Sequence, residues 1–158
     1  MITVLAARYL IDDVDPLLIL NIHLDEGQTH PTLLPDIVKV VHQENGGHGE
    51  AVNTGIKNAT GLYFKVLDSD DCLGKNALQK VLDLLEDMVS KDAGLDMLIS
   101  NFMYDKQGAK HKKIMKYKSA MPVGRMFGWD ELHFGTSQYL LMHSVIYRTK
   151  VLRECKMQ

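Results

Sequence analysis

The chain has 158 residues, enough for one domain with a substantial core, and 46% of them are apolar and 24% charged, as in an ordinary globular protein. The formal net charge of -2 gives no indication of a nucleic-acid partner. The two cysteines, Cys72 and Cys155, stand far apart and form no CxxC pair. This argues against a disulfide scaffold or a structural zinc site and suits a reducing compartment.

The apolar runs are too short to cross a bilayer, which takes roughly 20 residues. The longest, Leu17 to Leu24, has the length of a strand. The N-terminus lacks a basic segment followed by a long apolar one, so no signal peptide is predicted. These features favour a cytoplasmic location. A peripheral contact with the inner face of the membrane stays open.

Short apolar runs in the first hundred residues predict the strands of a sheet. They are Ile2 to Ala7, Leu17 to Leu24, Ile37 to His42, Leu62 to Leu67 and Leu95 to Ser100. Helices are predicted between the last three runs, at Glu50 to Asn58 and at Lys75 to Ser90, where apolar residues recur at helical spacing. Strands that alternate with helices predict an α/β fold with a mainly parallel sheet flanked by helices.

The pattern changes in the last third of the chain. Phe102 to Tyr104 and Lys113 to Tyr117 flank a polar segment, which predicts a hairpin. Trp129 to Leu132 predicts a short helix, and the apolar run Tyr139 to Arg148 predicts a strand.

Three carboxylates, those of Asp68, Asp70 and Asp71, follow directly on the predicted strand at Leu62 to Leu67. Carboxylates this close repel one another unless a cation or water lies among them. In open parallel sheets, ligands bind at the carboxyl ends of the strands. Oxygen ligands suit hard cations such as Mg²⁺ or Mn²⁺. A metal site is therefore one interpretation, and an acidic turn that caps the following helix is the other.

A glycine-rich stretch from Asn45 to Gly49 precedes the first predicted helix. Such a turn can offer backbone N–H groups and the positive end of a helix to a phosphate. It is neither a P-loop nor a GxGxxG motif. A plain strand-to-helix turn is the alternative.

The residues from Val41 to Asp71 closely resemble the core of family 2 glycosyltransferases over about thirty positions. The shared features are an N-G-G turn, a helix with N-x-G, an A-x-G-x-Y segment, a strand and a D-x-D-D motif. Ser137 to Arg148 resembles the acceptor-side strand of bacterial members. The resemblance implies a GT-A fold in a single domain of residues 1–158. Residues 1–100 would form the nucleotide-sugar and metal half, and residues 101–158 the beginning of the acceptor half.

The resemblance also implies a reaction and its residues. A sugar would pass, with inversion, from a nucleotide-diphosphate donor such as a UDP-sugar to a hydroxyl of a saccharide or cell-envelope acceptor, with Mn²⁺ or Mg²⁺ as cofactor. Asp70 and Asp71 would lie at the metal and the donor ribose, with Asp68 beside them. Asn53 would lie on the donor-facing helix. Asp25, in an altered D-D-G-S-T motif, would contact the uracil or ribose.

Three features depart from the family pattern. The donor helix has Val52 where an arginine is usual. Only about ten residues join the first two strands, too few for the usual parallel crossover with its helix. The resemblance places the general base after the acceptor-side strand, where Glu154 is the one carboxylate. The catalytic base is therefore unknown and expected to be absent from this chain, so little sugar transfer is expected from it alone.

Two other functions compete with a metal-dependent glycosyltransferase. A non-catalytic or inactive nucleotide-sugar-binding fragment needs no acceptor base and is the main alternative. A nucleotidyltransferase also uses carboxylates and a metal, but no G-x-G-T-R motif precedes the first helix.

Several single residues keep two interpretations. His48 suits a phosphate contact or an exposed turn. His143 suits an acceptor contact or a buried, hydrogen-bonded position. Trp129 suits stacking on a sugar or a buried anchor. The lysines from Lys106 to Lys118 suit a solvated hairpin or a contact with an anionic polymer or lipid.

Overall fold

The computed structural model describes residues 2–7, 14–22, 38–68, 71–74, 76–105, 108 and 112–155. The strands in these ranges are β1 Ile2–Ala7, β2 Val14–Ile22, β3 Val38–Glu44, β4 Tyr63–Leu67, β5 Met97–Ile99, β6 Phe102–Tyr104, β7 Lys113–Met115 and β8 Val145–Arg148. The α-helices are α1 Gly47–Asn58, α2 Ala77–Ser90 and α3 Thr149–Glu154. Two short 3₁₀ helices span Trp129–Glu131 and Met142–Ser144.

Six strands form one sheet in the order β3-β2-β1-β4-β8-β5. The predicted α/β class is confirmed, but a mainly parallel sheet is wrong. Among the described strands only β1 and β4 pair in parallel, and the other four neighbouring pairs are antiparallel. The chain between β1 and β2 covers only residues 8–13. Because a parallel crossover needs a dozen or more residues, β2 folds back against β1.

The strand β4 is buried on both faces of the sheet, since successive side chains point in opposite directions. Phe64 and Val66 join a core cluster with α1 and α3. Tyr63 joins a second cluster, which includes Leu82 of α2 and Ile146 of β8. The helices α1 and α3 therefore cover one face of the sheet, and α2 covers the other.

The predicted mainly parallel sheet implies that β4 runs parallel to the predicted strand at Ile37 to His42. The direction is confirmed, because β4 runs with β1, β1 against β2, and β2 against β3. The two strands are not neighbours, since β2 and β1 lie between them. The carboxyl ends of β1, β3, β4 and β5 consequently share one end of the sheet.

The predicted strand at Tyr139 to Arg148 is only partly correct. Its first half is irregular and contains the 3₁₀ helix, so β8 begins at Val145. The backbone N–H and the hydroxyl of Ser144 both donate to the carbonyl of Leu141, at 2.9 and 2.5 Å. A serine hydroxyl that bonds the backbone carbonyl three residues earlier favours a turn over an extended strand.

The described residues between 102 and 140 form a smaller unit beside the sheet. The predicted hairpin is confirmed, with β6 and β7 paired antiparallel from Phe102↔Met115 to Tyr104↔Lys113. Beneath it, Tyr117, Ala120 and Met121 form a third core cluster. Trp129 is 73% exposed, so its interpretation as a buried anchor is wrong.

Within the described ranges, every helix is too short or too polar to cross a membrane.

The burial of β4 predicts a large cost for truncating its core residue. Phe64→Ala should lower the free energy of unfolding by roughly 3–5 kcal/mol, since Phe64 is only 1% exposed and its loss leaves a cavity. Leu62→Ala is the matched control, because Leu62 precedes the strand and is 57% exposed. Urea unfolding followed by circular dichroism measures both. Equal losses for the two variants would contradict the assigned burial.

Candidate active site

The acidic motif begins at the residue after β4. Asp68 follows Leu67 directly, and the backbone N–H of Asp71 donates to the carbonyl of Asp68 at 3.0 Å. This hydrogen bond closes a tight turn and holds both carboxylates at the carboxyl end of β4, as the sequence predicts. Asp70 and Asp25, the other predicted acidic site residues, lie outside the described residues.

Asp71 has an unsatisfied carboxylate oxygen. Its Oδ2 atom is buried and has no hydrogen-bond partner among the described residues. The Nδ1 atom of His143 is 4.0 Å away, too far for a hydrogen bond. A buried carboxylate oxygen without a partner is costly, and it is the kind of ligand that a hard divalent cation takes. The chemistry of Asp71 therefore fits a metal ligand.

The described residues alone do not assemble a metal cage. No group of three or more histidine, cysteine, aspartate or glutamate side chains in the described ranges is placed to hold an ion. A site at Asp71 would need further oxygen ligands. Asp70 lies outside the described ranges, and a bound substrate with phosphate oxygens would supply others.

The N-terminus of α1 lies beside the same acids. His48, in the first turn of α1, places its Nδ1 atom 4.0 Å from Oδ1 of Asp68. Gly47, at a φ of 83°, starts the helix three residues earlier than predicted, and its N–H donates to the Asn45 side chain at 2.9 Å. The glycine-rich turn therefore aims the positive end of a helix toward the acidic turn.

Lys65 is a buried cation beneath the acids. It lies on β4, on the same face as Tyr63 and Leu67, and is only 6% exposed. Its ammonium donates to the carbonyl of His143 at 2.6 Å. Burial lowers the pKa of Lys65 below its usual 10.5, and the nearby carboxylates of Asp71 and Asp68 act in the opposite direction. The fold thus places a fixed cationic group within electrostatic reach of both acids.

Aromatic side chains extend from His143 toward the smaller sheet. The His143 and Phe102 rings meet edge-to-face with centroids 4.4 Å apart, and Phe102 meets Tyr104 in the same way at 5.3 Å. The Tyr104 and Tyr139 hydroxyls are 3.1 Å apart, and Tyr139 is half exposed. His143 is thus a partly buried residue that lies between the acids and an aromatic surface.

Asn53 lies in the second turn of α1 and is half buried. Within the described ranges, no hydrogen bond or ion pair joins it to Asp68 or Asp71. Its predicted contact with the donor stays a prediction.

The sequence indicated the acids but missed Lys65. A lysine inside an apolar strand, three residues before the first acid, was a usable signal, because lysine is rarely buried without a partner. The approach of His143 to Asp71 had no such signal, since 72 positions separate the two residues.

A cavity of about 580 Å³ lies at the opposite end of β4, between α2 and α3. Its two arginines bind backbone carbonyls, and Lys150 lies 3.7 Å from the Glu154 carboxylate. Arg148 donates to the Leu95 carbonyl at 2.9 Å, and Arg153 donates to the carbonyls of Ile56 and Ala59 at 3.0 and 2.6 Å. Arg153 thereby satisfies carbonyls at the end of α1, so this region holds helices together and lies away from the acids.

The fold and the site define an α/β protein whose acids gather at the carboxyl end of an interior strand. Comparison with known proteins is consistent with this class. The family described as Glycosyl transferase family 2 matches residues 24–149. The chain belongs to this family, whose members have an α/β fold of the GT-A type.

Several curated relatives are named glycosyltransferases, and another is named for teichoic acid biosynthesis. An uncharacterized glycosyltransferase of Rickettsia felis is 31% identical over 105 residues, which are 65% of this chain and 17% of the relative. Glycosyltransferase GlyG of Streptococcus pneumoniae is 41% identical over 66 residues, 41% of this chain and 20% of the relative. The minor teichoic acid biosynthesis protein GgaA of Bacillus subtilis is 28% identical over 110 residues, 68% of this chain and 24% of the relative.

The matched part of the chain thus spans about a fifth of the length of these relatives. No solved structure matches the chain at a significant level.

The burial of Lys65 predicts a pH dependence of stability. Burial lowers the pKa of Lys65 in the folded protein, whereas the unfolded chain keeps a value near 10.5. Between the two values the unfolded state binds more protons, so this group makes the free energy of unfolding rise with pH, up to about pH 10.5.

The measurement compares the free energy of unfolding of the wild type with that of Lys65→Met across this pH range. Lys57→Met, on the exposed side of α1, is the control. The free energy of unfolding of the wild type relative to Lys65→Met should increase as the pH approaches 10.5. An unchanged difference across that range would contradict the assigned burial of the ammonium.

Proposed function

We propose that this chain carries the donor-binding centre of a metal-dependent glycosyltransferase. The observation that supports the proposal most directly is the Oδ2 atom of Asp71 at the carboxyl end of β4, which is buried and has no hydrogen-bond partner among the described residues. Family membership supplies the reaction class, which is transfer of a sugar from a nucleotide-diphosphate donor to an acceptor hydroxyl. The donor is proposed to be a UDP-sugar.

The acids would hold Mn²⁺ or Mg²⁺ through Asp71 and Asp70, with Asp68 beside the donor. When bound, the cation neutralises the charge that builds up on the diphosphate leaving group. Asp71 supplies an oxygen that is already desolvated, which avoids part of the cost of stripping water from the carboxylate on binding.

The first turn of α1 would face the diphosphate. Its N–H groups and positive dipole end favour an anion, and His48 lies at that end, 4.0 Å from the Asp68 carboxylate. The donor phosphates would therefore lie between α1 and the acidic turn. Asn53 on the same helix and Asp25 are proposed to contact the nucleoside.

The acceptor would approach from the side of the smaller sheet. His143, Phe102, Tyr104 and Tyr139 form a continuous series of contacts that starts 4.0 Å from Asp71 and ends at a half-exposed tyrosine. Aromatic faces suit the apolar faces of sugar rings, and the tyrosine hydroxyls suit their hydroxyls. A saccharide or a cell-envelope sugar is the proposed acceptor.

In this arrangement the acceptor hydroxyl attacks the anomeric carbon from the face opposite the diphosphate. A bond from carbon to the acceptor oxygen forms while the bond to the diphosphate oxygen breaks, so the configuration inverts. The proton of the hydroxyl passes to a base that these residues do not identify.

A second candidate function is nucleotide-sugar binding without transfer. Glu154, the one carboxylate that follows His143 in the sequence, lies on α3 with its Oε1 atom 3.7 Å from Nζ of Lys150. Since β8 runs against β4, α3 begins at the end of the sheet opposite the acids. Glu154 is therefore not placed to act as the base of a transfer reaction.

The proposal predicts that Mn²⁺ strengthens UDP binding and that Asp71→Ala removes this effect. Loss of a direct ligand should weaken UDP binding in Mn²⁺ by more than about tenfold, because loss of an outer-shell partner alone typically lowers metal affinity by at least that factor. Asp83→Ala is the control, because Asp83 lies on the exposed side of α2 with Gln79 as its partner. Calorimetry with and without a chelator measures each affinity.

Equal UDP affinity in chelator and in Mn²⁺ would show that the metal role is wrong for this chain. Binding that is Mn²⁺-dependent but accompanied by no sugar release to any acceptor in a screen would favour the binding-only function.

A further inference from the structure

The cation inside the acidic site has a consequence for metal binding. Lys65 is almost fully buried on β4, and the acids directly follow this strand. The charge of Lys65 is therefore held near the acids. Its one hydrogen bond in the described structure is to the carbonyl of His143, at 2.6 Å, which leaves its charge to act on Asp68 and Asp71 through space.

A buried ammonium and a divalent cation at the same carboxylates repel each other. The effective dielectric constant near such a site is about 20 instead of 80, so the repulsion is stronger than it would be in water. A free divalent cation therefore meets carboxylates whose charge Lys65 already offsets.

The effect of Lys65 reverses for a cation that binds as its complex with a nucleoside diphosphate such as UDP. The terminal phosphate of UDP carries an additional ionised oxygen, so the complex of UDP with one divalent cation is an anion. Lys65 attracts this anion, as does the positive end of α1. The diphosphate of a UDP-sugar is esterified at both ends, and its complex with one divalent cation is neutral.

We propose that Lys65 is an internal counter-ion that disfavours free divalent cations at Asp68 and Asp71 and admits the cation as its complex with a nucleoside diphosphate such as UDP. This inference rests on the proposed function, because it takes Asp71 as a metal ligand. The inference gives Lys65 a role in selecting which form of the metal binds. It also predicts that nucleotide and metal enter the site together.

The hydrogen bond to His143 gives Lys65 a second role that must be separated from its charge. The bond joins β4 to the 3₁₀ helix before β8, and the next carbonyl, that of Ser144, accepts from Ser100 at 2.8 Å. Lys65→Gln removes the charge but keeps a hydrogen-bond donor. Lys65→Arg keeps the charge, and Lys57→Met removes an exposed charge from the far end of α1.

The experiment titrates each variant with Mn²⁺ and follows the signal of the free ion by electron paramagnetic resonance, near neutral pH, with and without UDP. Circular dichroism checks that each variant is folded. In Lys65→Gln, free Mn²⁺ should bind more tightly by about tenfold and the Mn²⁺–UDP complex more weakly by a similar factor, since the same charge acts on both with opposite sign. Lys65→Arg and Lys57→Met should keep the wild-type ratio of the two affinities.

Two results would overturn the inference. If Lys65→Gln weakens both affinities alike, Lys65 only supports the local structure. If it changes neither, its charge does not reach the site. A wild type that binds no Mn²⁺ even with UDP is a separate result, since it refutes the proposed metal role and removes the inference with it.

Discussion

The structure depends on β4 being covered on both faces. Its four residues from Tyr63 to Val66 are all less than about a tenth exposed, which requires α1 and α3 on one side, α2 on the other, and β1 and β8 as neighbouring strands. A strand this deeply buried cannot shift its register without moving every side chain to the wrong face. The acidic turn that follows it is therefore held in one position relative to the sheet.

This constraint brings residues from distant parts of the chain to the acids. The neighbouring strand β8 runs against β4, so the segment before β8 reaches the end of the sheet where the acids lie. His143 arrives there by this route, and Lys65 fixes it through its carbonyl. Because β3 runs in the same direction as β4, the helix after β3 also starts at this end and brings His48 to Asp68. One end of the sheet thus collects acids, a helix N-terminus and the link to the aromatic surface.

The sequence predicted those features that depend on local pattern. The apolar run before Asp68, the periodicity of α2 and the two halves of the hairpin each reflect side chains within a few positions of one another. Pairing direction depends on the neighbours that a strand finds, so the mainly parallel sheet was wrong, although the short link after β1 carried the signal for a reversal. The helix α3 was also missed, although Lys150 and Glu154 stand at helical spacing. The predicted roles of Asp25 and Asp70 stay predictions.

The central claim is that a nucleotide and a divalent cation bind together at the carboxyl end of β4. Paramagnetic broadening of backbone amide signals by Mn²⁺ in the presence of UDP tests this directly, because the broadening falls steeply with distance from the ion. The account predicts the strongest loss of signal at Asp68, Asp71, His48 and Ser144, with Leu62 and Arg148 at the other end of the sheet least affected. Strongest broadening at Leu62 and Arg148, or no site-specific broadening, would contradict it.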